Sequence, residues 1–314
     1  MPREIKLQSN AAPAVLMVRP ANFGPNPETA GSNSFQSAAQ AGELDQIRLQ
    51  SIAEFDAAVD TLRSGGVEVI VAQDEFLEER RDAVFPNNWV SFHESGDVFL
   101  YPMQSKARRT ERRPEVIDAV KPRFTVHKIT DLSGTEEKEL YLEGTGSLIV
   151  DYPNRIMYAS RSIRTNEDLV RAHTTRLGFS AVVFDALDRS GMPIYHTNVM
   201  MCLGTSYCVV CLESIPEGEE KRVFLASLAT TSHEIVDISF DQMEHFAGNM
   251  LEVATSRSKP ALVMSITAFA ALTQSQKIIL EKYANLIAVD IPTIEKYGGG
   301  SARCMMAGIH LPAI

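Results

Sequence analysis

One pattern returns along the chain and limits the fold more than any other feature. Two short apolar runs joined by a turn lead into a helical stretch, and a β-branched strand follows. Ala14–Arg19 is the first run. After a Pro/Gly/Asn loop come the helix Glu43–Ser64, the stop signal Gly65-Gly66 and the strand Val67–Ala72. Trp89–His93 and Val98–Tyr101 form a hairpin around Glu94–Asp97, followed by a charged helix Arg108–Val120 and the strand Phe124–Ile129. The third unit is Ser147–Asp151, Arg155–Ser160, the helix Asn166–Leu177 with Asn166 or Thr165 as its cap, and the strand Ala181–Asp185. The fourth is Val199–Leu203, Tyr207–Leu212, helix Glu217–Ala229 and strand Ile235–Ile238. The fifth is Met250–Thr255, Ala261–Ser265, helix Gln274–Ala284 and strand Leu286–Val289. The first unit lacks one hairpin arm, which Cys304–Leu311 is placed to supply.

The helices recur about every 50–60 residues, and a fixed period on that scale signals a propeller or a solenoid. Five ββαβ units closing in a ring would remove exposed sheet edges and bury one large core. The expected architecture is therefore an α/β fold, a pseudo-symmetric five-bladed propeller. Residues 1–12 form a polar, mobile lead-in and 13–314 a single catalytic domain. The units share element order more than sequence, so two ordinary α+β domains remain the alternative.

Composition removes several functional classes. Hydrophobic residues are 45% and charged residues 22% of the 314, as in ordinary globular chains, which argues against disorder. No apolar run approaches the roughly 18 residues of a membrane span. The net charge of −10 lacks the footprint of a nucleic-acid binder. The one basic cluster, Lys106 to Arg113, is interrupted by Glu111 and followed by Glu115, and reads as a solvated helix face. There is no secretory pattern, and four cysteines make no disulfide framework, so reduced thiols in the cytoplasm are expected. Cys208 and Cys211 have CxxC spacing, but residues three apart on a strand face opposite sides, so they read as buried small hydrophobes.

Four polar loops stand near the hairpin entries of different units. They are Phe85–Trp89, Leu142–Ser147, His196–Asn198 and Gly298–Cys304. In a closed ring, equivalent positions converge on the axis. That would bring Cys304, His196 and Glu143 into one cavity, as thiol catalysis requires: a thiolate, a proton shuttle and a group to orient the shuttle. Taken singly, each has a plainer explanation. Cys304 can be a core thiol, His196 a satisfied loop histidine, Glu143 a solvated turn acid.

The segment YGGGSARCMMAGIHLP resembles the C-terminal nucleophile motif of the guanidino-modifying (pentein) superfamily, which includes arginine deiminases, dimethylarginine hydrolases and amidinotransferases. LEGTGS resembles their Glu-Gly-Gly-Asp segment, HTN their His-x-Asp, FPNNW their Phe-x-Arg-Asp, and SRSIRTN their Ser-x-Arg-Thr-Asn turn. MVRPANFGPNPETAGSNSFQ, with FPNNWVSF, looks closer still to the bacterial citrulline-utilisation hydrolases. The resemblance covers nearly the whole chain from about residue 14, in family order. It implies the five-bladed ββαβ propeller, with Cys304 as nucleophile, His196 as general acid and base, and Glu143 as the partner of that histidine. It implies Arg164 at the substrate α-carboxylate.

This chain departs from the resemblance at Asn88 and Asn198, where guanidino enzymes carry Asp, and at Thr145-Gly146-Ser147, which holds no acid. A guanidinium is a planar cation with donors only, whereas a ureido group is neutral and has one carbonyl acceptor. An Asn amide offers a donor and an acceptor and so matches the ureido group. Asn88 and Asn198 are thus expected at the substrate. The expected reaction is hydrolysis of citrulline to ornithine, carbon dioxide and ammonia through an S-carbamoyl intermediate on Cys304. The alternatives are a guanidino deiminase, dihydrolase or amidinotransferase, and a catalytically silent amino-acid-binding propeller. No metal-ligand spacing or phosphate loop is visible, so no metal and no cofactor is implied. The partner is a small amino-acid substrate rather than nucleic acid or membrane, and a homo-oligomer is compatible with the reading.

Overall fold

The apolar runs become strands that pair in one recurring way. The computed structural model describes residues 9–40 and 42–314. In chain order the strands are β1 (Ala14–Arg19), β2 (Val69–Gln73), β3 (Val90–Phe92), β4 (Asp97–Leu100), β5 (Lys128–Asp131), β6 (Ile149–Asp151), β7 (Ile156–Ser160), β8 (Ser180–Phe184), β9 (Met201–Leu203), β10 (Tyr207–Val210), β11 (Glu234–Asp237), β12 (Leu251–Val253), β13 (Ala261–Ser265), β14 (Asn285–Val289) and β15 (Ala307–Ile309). β3–β4, β6–β7, β9–β10 and β12–β13 are antiparallel hairpins. The second strand of each hairpin pairs in parallel with the strand that follows, β5, β8, β11 or β14. β15 runs antiparallel to β1, and β1 parallel to β2, so the last strand does supply the arm the first unit lacks.

Parallel neighbours need a crossover. The helices Leu44–Ser64, Glu167–Leu177, Glu219–Thr230 and Gln274–Tyr283 provide it in four units. Asn166 caps its helix by accepting from the Leu169 N–H at 3.1 Å, and Gly178 ends it in the left-handed region at φ 70°. Phe55, Val59 and Leu62 of the first helix pack on Val15, Met17 and Val263. Each such buried side chain contributes roughly 1.5–3 kcal/mol. Every residue of β9, β10 and β13 is buried, which explains why these runs are apolar throughout rather than alternating.

The sheets differ from the expected five separate blades. β15 also pairs with β3 through Ile309 and Phe92, which merges two units into one six-stranded sheet, β2-β1-β15-β3-β4-β5. The other three sheets have three strands each, and no sheet among the described residues closes on itself.

Two local expectations are corrected. The second crossover is a 3-10 turn, Ala107–Glu111, and a short helix, Pro114–Asp118, because Pro114 cannot continue a helix begun at Arg108. Its basic residues are not a solvated face. Arg108 is buried against Glu111, and Arg112 pairs with Glu136 at 2.6 Å. The lead-in expected over 1–12 lies outside the described residues as far as 8. From there it is anchored, since Ser9 Oγ meets Thr205 Oγ1 at 2.9 Å, Asn10 is buried, and Ala12 bridges to Val253.

A buried polar chain runs from the β3–β4 hairpin to the helix Glu167–Leu177. Ser91 Oγ lies 2.7 Å from both His93 Nε2 and Tyr101 Oη, and Tyr101 Oη lies 3.0 Å from His173 Nε2. Among the described residues no helix is long and apolar enough to cross a membrane.

Candidate active site

Cys304 follows the helix Pro292–Gly298, which stops at Gly299 in the left-handed region at φ 63°. A side chain there would also collide, because a Cβ would lie 2.5 Å from Asn33 Nδ2. Glycine thus lets the backbone turn under Asn33, whose amide donates to the Gly298 and Gly299 carbonyls at 3.3 Å. The chain then folds back, with the Cys304 N–H on the Ser301 carbonyl at 2.9 Å and the thiol buried.

Glu143 and His196 each stand immediately before a single helical turn, Gly144–Ser147 and Thr197–Met200. The two turns are pinned together by the Thr197 hydroxyl, which donates to the Ser147 carbonyl at 2.7 Å. His196 Nε2 donates to Glu143 Oε2 at 2.8 Å, while Glu143 Oε1 accepts from the Gln104 N–H at 2.9 Å. Burial opposes the Glu143 charge, but Arg164 at 3.7 Å and His196 outweigh it and hold the carboxyl at about 2. Burial also pushes His196 down to about 4 despite the Glu143 hydrogen bond. At neutral pH the pair is a carboxylate and a neutral imidazole whose Nε2 carries the proton, so Nδ1 is the free base. Gly146 makes room beside it. A Cβ at that position would lie 2.4 Å from Asn88 Nδ2 and 2.9 Å from His196 Nδ1.

The Asn88 amide is oriented by a cation. Its Oδ1 accepts from Arg108 Nη1 at 2.8 Å, and because a guanidinium has only donors, the amide orientation is fixed. Asn88 Nδ2 is left buried without a partner. Arg108 is held in turn by a two-point contact to Glu111, both bonds 2.9 Å, and by the Phe85 carbonyl at 3.1 Å. Burial works against the Arg108 charge, yet Glu111 and Asp82 outweigh it, and burial lifts Glu111 to about 7. Asp82 accepts from Asn26 Nδ2 at 2.8 Å, keeps Oδ1 unpartnered, and is raised by burial. Arg164 is buried. It donates to Ser32 Oγ at 2.7 Å, stacks over the Tyr195 ring at 4.9 Å, and keeps Nε free.

Asp82, Asn88, Arg108, Arg164, His196 and Cys304 wall one cavity of about 20 Å³, room for about one water. Thr29 and Asn33 of the segment between β1 and the first helix also line it. Of the six residues expected from the sequence, four therefore share the wall. Glu143 supports His196 from behind. Asn198, expected to face the substrate, stands outside the wall, because two residues along a helical turn rotate it about 200° from His196. It lies behind the sulfur, with Nδ2 3.4 Å from Cys304 Sγ. Asn249 joins it there at 3.3 Å, its own Oδ1 accepting from the Arg303 N–H at 3.1 Å.

Asp82, Arg108 and Asn249 were not found from sequence. Asp82 sits in a charged loop without a pattern, and Arg108 was hidden in the basic run, where only Glu111 three residues on hinted at a fixed pair. Asn249 had a usable signal. Gly248-Asn249 occupies the hairpin entry of the fifth unit, the position at which other units carry their polar loops.

No curated protein matches the chain. Solved structures do. The N-terminal domain of ArgZ, an arginine dihydrolase from the ornithine-ammonia cycle in cyanobacteria, captured with substrate, is similar at TM-score 0.70 and 18% identity, over 95% of this chain and 98% of that one. Full ArgZ is similar at the same TM-score and 17% identity, and there the match spans 41% of the longer chain. A dimethylarginine dimethylaminohydrolase carrying an adduct with S-methyl-L-thiocitrulline is similar at TM-score 0.63 and 15% identity, over 94% of this chain and 98% of that one. At such identities these likenesses speak for the fold, an α/β fold shared with pentein structures. A family match covers residues 19–311. The chain belongs to the family described as "N,N dimethylarginine dimethylhydrolase, eukaryotic", hydrolases of guanidino C–N bonds within the pentein superfamily.

Proposed function

We propose that the protein is a cysteine hydrolase of a ureido C–N bond in an α-amino acid, with citrulline as substrate, as in the citrulline-utilisation branch that its motifs resemble. The observation that carries this reading is the Asn88 amide. Arg108 holds its oxygen, so the cavity is offered a buried N–H that lacks an acceptor. A ureido carbonyl satisfies that donor. A guanidinium would set donors against it, beside the Arg108 and Arg164 cations. Elsewhere in the wall, the free Asp82 oxygen suits an α-ammonium and the free Arg164 Nε an α-carboxylate.

In this mechanism His196 Nδ1 takes the Cys304 proton and the thiolate attacks the ureido carbon. The tetrahedral centre expels ammonia, protonated by His196, and leaves an S-carbamoyl group on Cys304. Water, deprotonated by His196, releases an N-carboxylated ornithine that loses carbon dioxide. Glu143 orients the imidazole and compensates its charge when protonated. Asn198 and Asn249 hold the sulfur in place. The residues from 13 onward act as a single domain, a five-bladed α/β-propeller in the cytoplasm. The repeated three-stranded unit, and the Ala12–Val253 bridge linking the fifth unit to the first, support that ring.

The second reading is a guanidino dihydrolase. The Asp82 carboxylate in the wall favours it, as a counter-charge for a cation, and so does the likeness to an arginine dihydrolase. kcat/KM for citrulline and arginine in the wild type and in Asn88→Asp separates the two. The ureido reading expects a wild-type preference for citrulline of up to about 10⁴-fold, the scale set by an unpaired buried polar group, and a large fall in that ratio in the variant. A wild type that prefers arginine makes the dihydrolase the better account.

A further inference from the structure

A second cavity, of about 50 Å³, does not include Cys304 or His196 in its wall; apolar residues line much of it, but Arg303, His310, Tyr152, Ser91 and Asn10 face it as well. Arg303 is 6% exposed. Among the described residues its side chain makes one hydrogen bond, from Nη1 to the Met306 carbonyl at 3.1 Å, and no carboxylate lies within ion-pair distance of it. The other buried arginines behave differently, since Arg108 grips Glu111 and Arg164 faces Glu143. Burial lowers the Arg303 pKa, and the acidic groups that oppose this are Cys304, Tyr152 and Cys202 rather than any carboxylate. Burial lifts Cys202 to about 12 and raises Tyr152, so both stay protonated, and burial pushes His310 down to about 3, so it stays neutral. His310 Nδ1 is buried without a partner, and its ring packs 4.0 Å from that of Tyr152. Asn10 is committed elsewhere, donating to the Gly204 carbonyl and accepting from the Tyr152 N–H.

A buried charge without a partner is costly, and a cavity several times the roughly 10–15 Å³ needed for one water can hold what compensates it. We infer that this cavity is a binding site for one small monovalent inorganic anion, of halide or bicarbonate size, held by the Arg303 guanidinium with His310 beside it. The inference does not depend on which substrate the active site takes.

The test measures Tm at fixed ionic strength, with gluconate exchanged for chloride, bromide or bicarbonate. A saturable rise is expected, roughly 3–8 °C at a hundredfold excess over Kd, and absent in Arg303→Gln. The chloride and bicarbonate arms distinguish salt from dissolved carbon dioxide as the source. Should the variant not fold, wild-type crystals grown in bromide give the second measurement, an anomalous peak within hydrogen-bond reach of the guanidinium. A Tm indifferent to the anion together with no bromide peak overturns the site. So does an anion effect that persists unchanged in Arg303→Gln.

Discussion

Two sets of buried histidines invite comparison. His196 sits against Glu143, while His93 and His173 sit at the ends of a chain made of Ser91 and Tyr101. Burial pushes all three down, His196 and His93 to about 4 and His173 to about 3. The difference lies in what waits beside them. His196 touches an ionised carboxylate, so a proton arriving on the ring completes an ion pair. His93 and His173 touch neutral hydroxyls, so a proton there would be an uncompensated charge. One arrangement can relay a proton during a reaction, and the other fixes a hairpin to a helix. A depressed histidine alone therefore does not mark a catalytic site; its partner does.

The comparison can be broken most severely at the sulfur. Cys304→Ser should abolish turnover and keep the circular-dichroism spectrum, and substantial residual activity would remove Cys304 from the chemistry. Next comes Glu143→Gln, which retains the shape but not the charge. It should lower kcat by about 10²–10⁴-fold, the usual span for general acid–base support. A normal kcat would mean that His196 needs no counter-charge. The other set should answer in the opposite way. Tyr101→Phe strands Ser91 and His173 and should cost about 1–3 kcal/mol in urea unfolding, with kcat nearly unchanged.

The pH dependence of stability tests the same comparison without a substitution. His93, His173, His196 and His310 have folded values near 4, 3, 4 and 3, all below the ordinary value of about 6.5. Between those values the unfolded chain binds more protons than the folded one. Stability should be full above about pH 6.5 and decline as pH falls toward 4, by up to roughly 1.4 kcal/mol per pH unit for each histidine. Glu143, depressed to about 2, adds a loss in the same direction below its usual range. A urea midpoint that is flat from pH 7 to 4.5 would show that these rings are not buried neutral.

Strand positions were legible because apolar runs bounded by Gly, Pro and Asn turns report burial locally. Even the missing arm of the first unit could be assigned to the chain end, since only one apolar run remained. The merging of two units through Ile309 and Phe92 was not legible, because a single bridge between distant strands leaves no periodicity. The site divided along the same line. Cys304, His196, Glu143 and Asn88 stood in polar loops at strand entries, whereas Arg164 was reached only through the SRSIRTN resemblance. The helical turn Thr197–Met200, which sets Asn198 beside the Cys304 sulfur, had no signal in the polar loop that holds it. Arg108 escaped because a charge run looks alike whether it faces solvent or a buried acid, and only tertiary contact tells the two apart.

The placement of β15 bears on how the protein reaches its working state. Cys304 stands three residues before a strand that pairs with β1 across nearly the whole chain, Ala14 opposite Ile309. Contacts of such long sequence separation pay their loop-closure entropy before they are rewarded, and they slow folding. The helices and local hairpins close over short spans and need not wait for that pairing. The thiol pocket is thus coupled to the most entropically demanding contact in the molecule, so secondary structure should return ahead of activity on refolding.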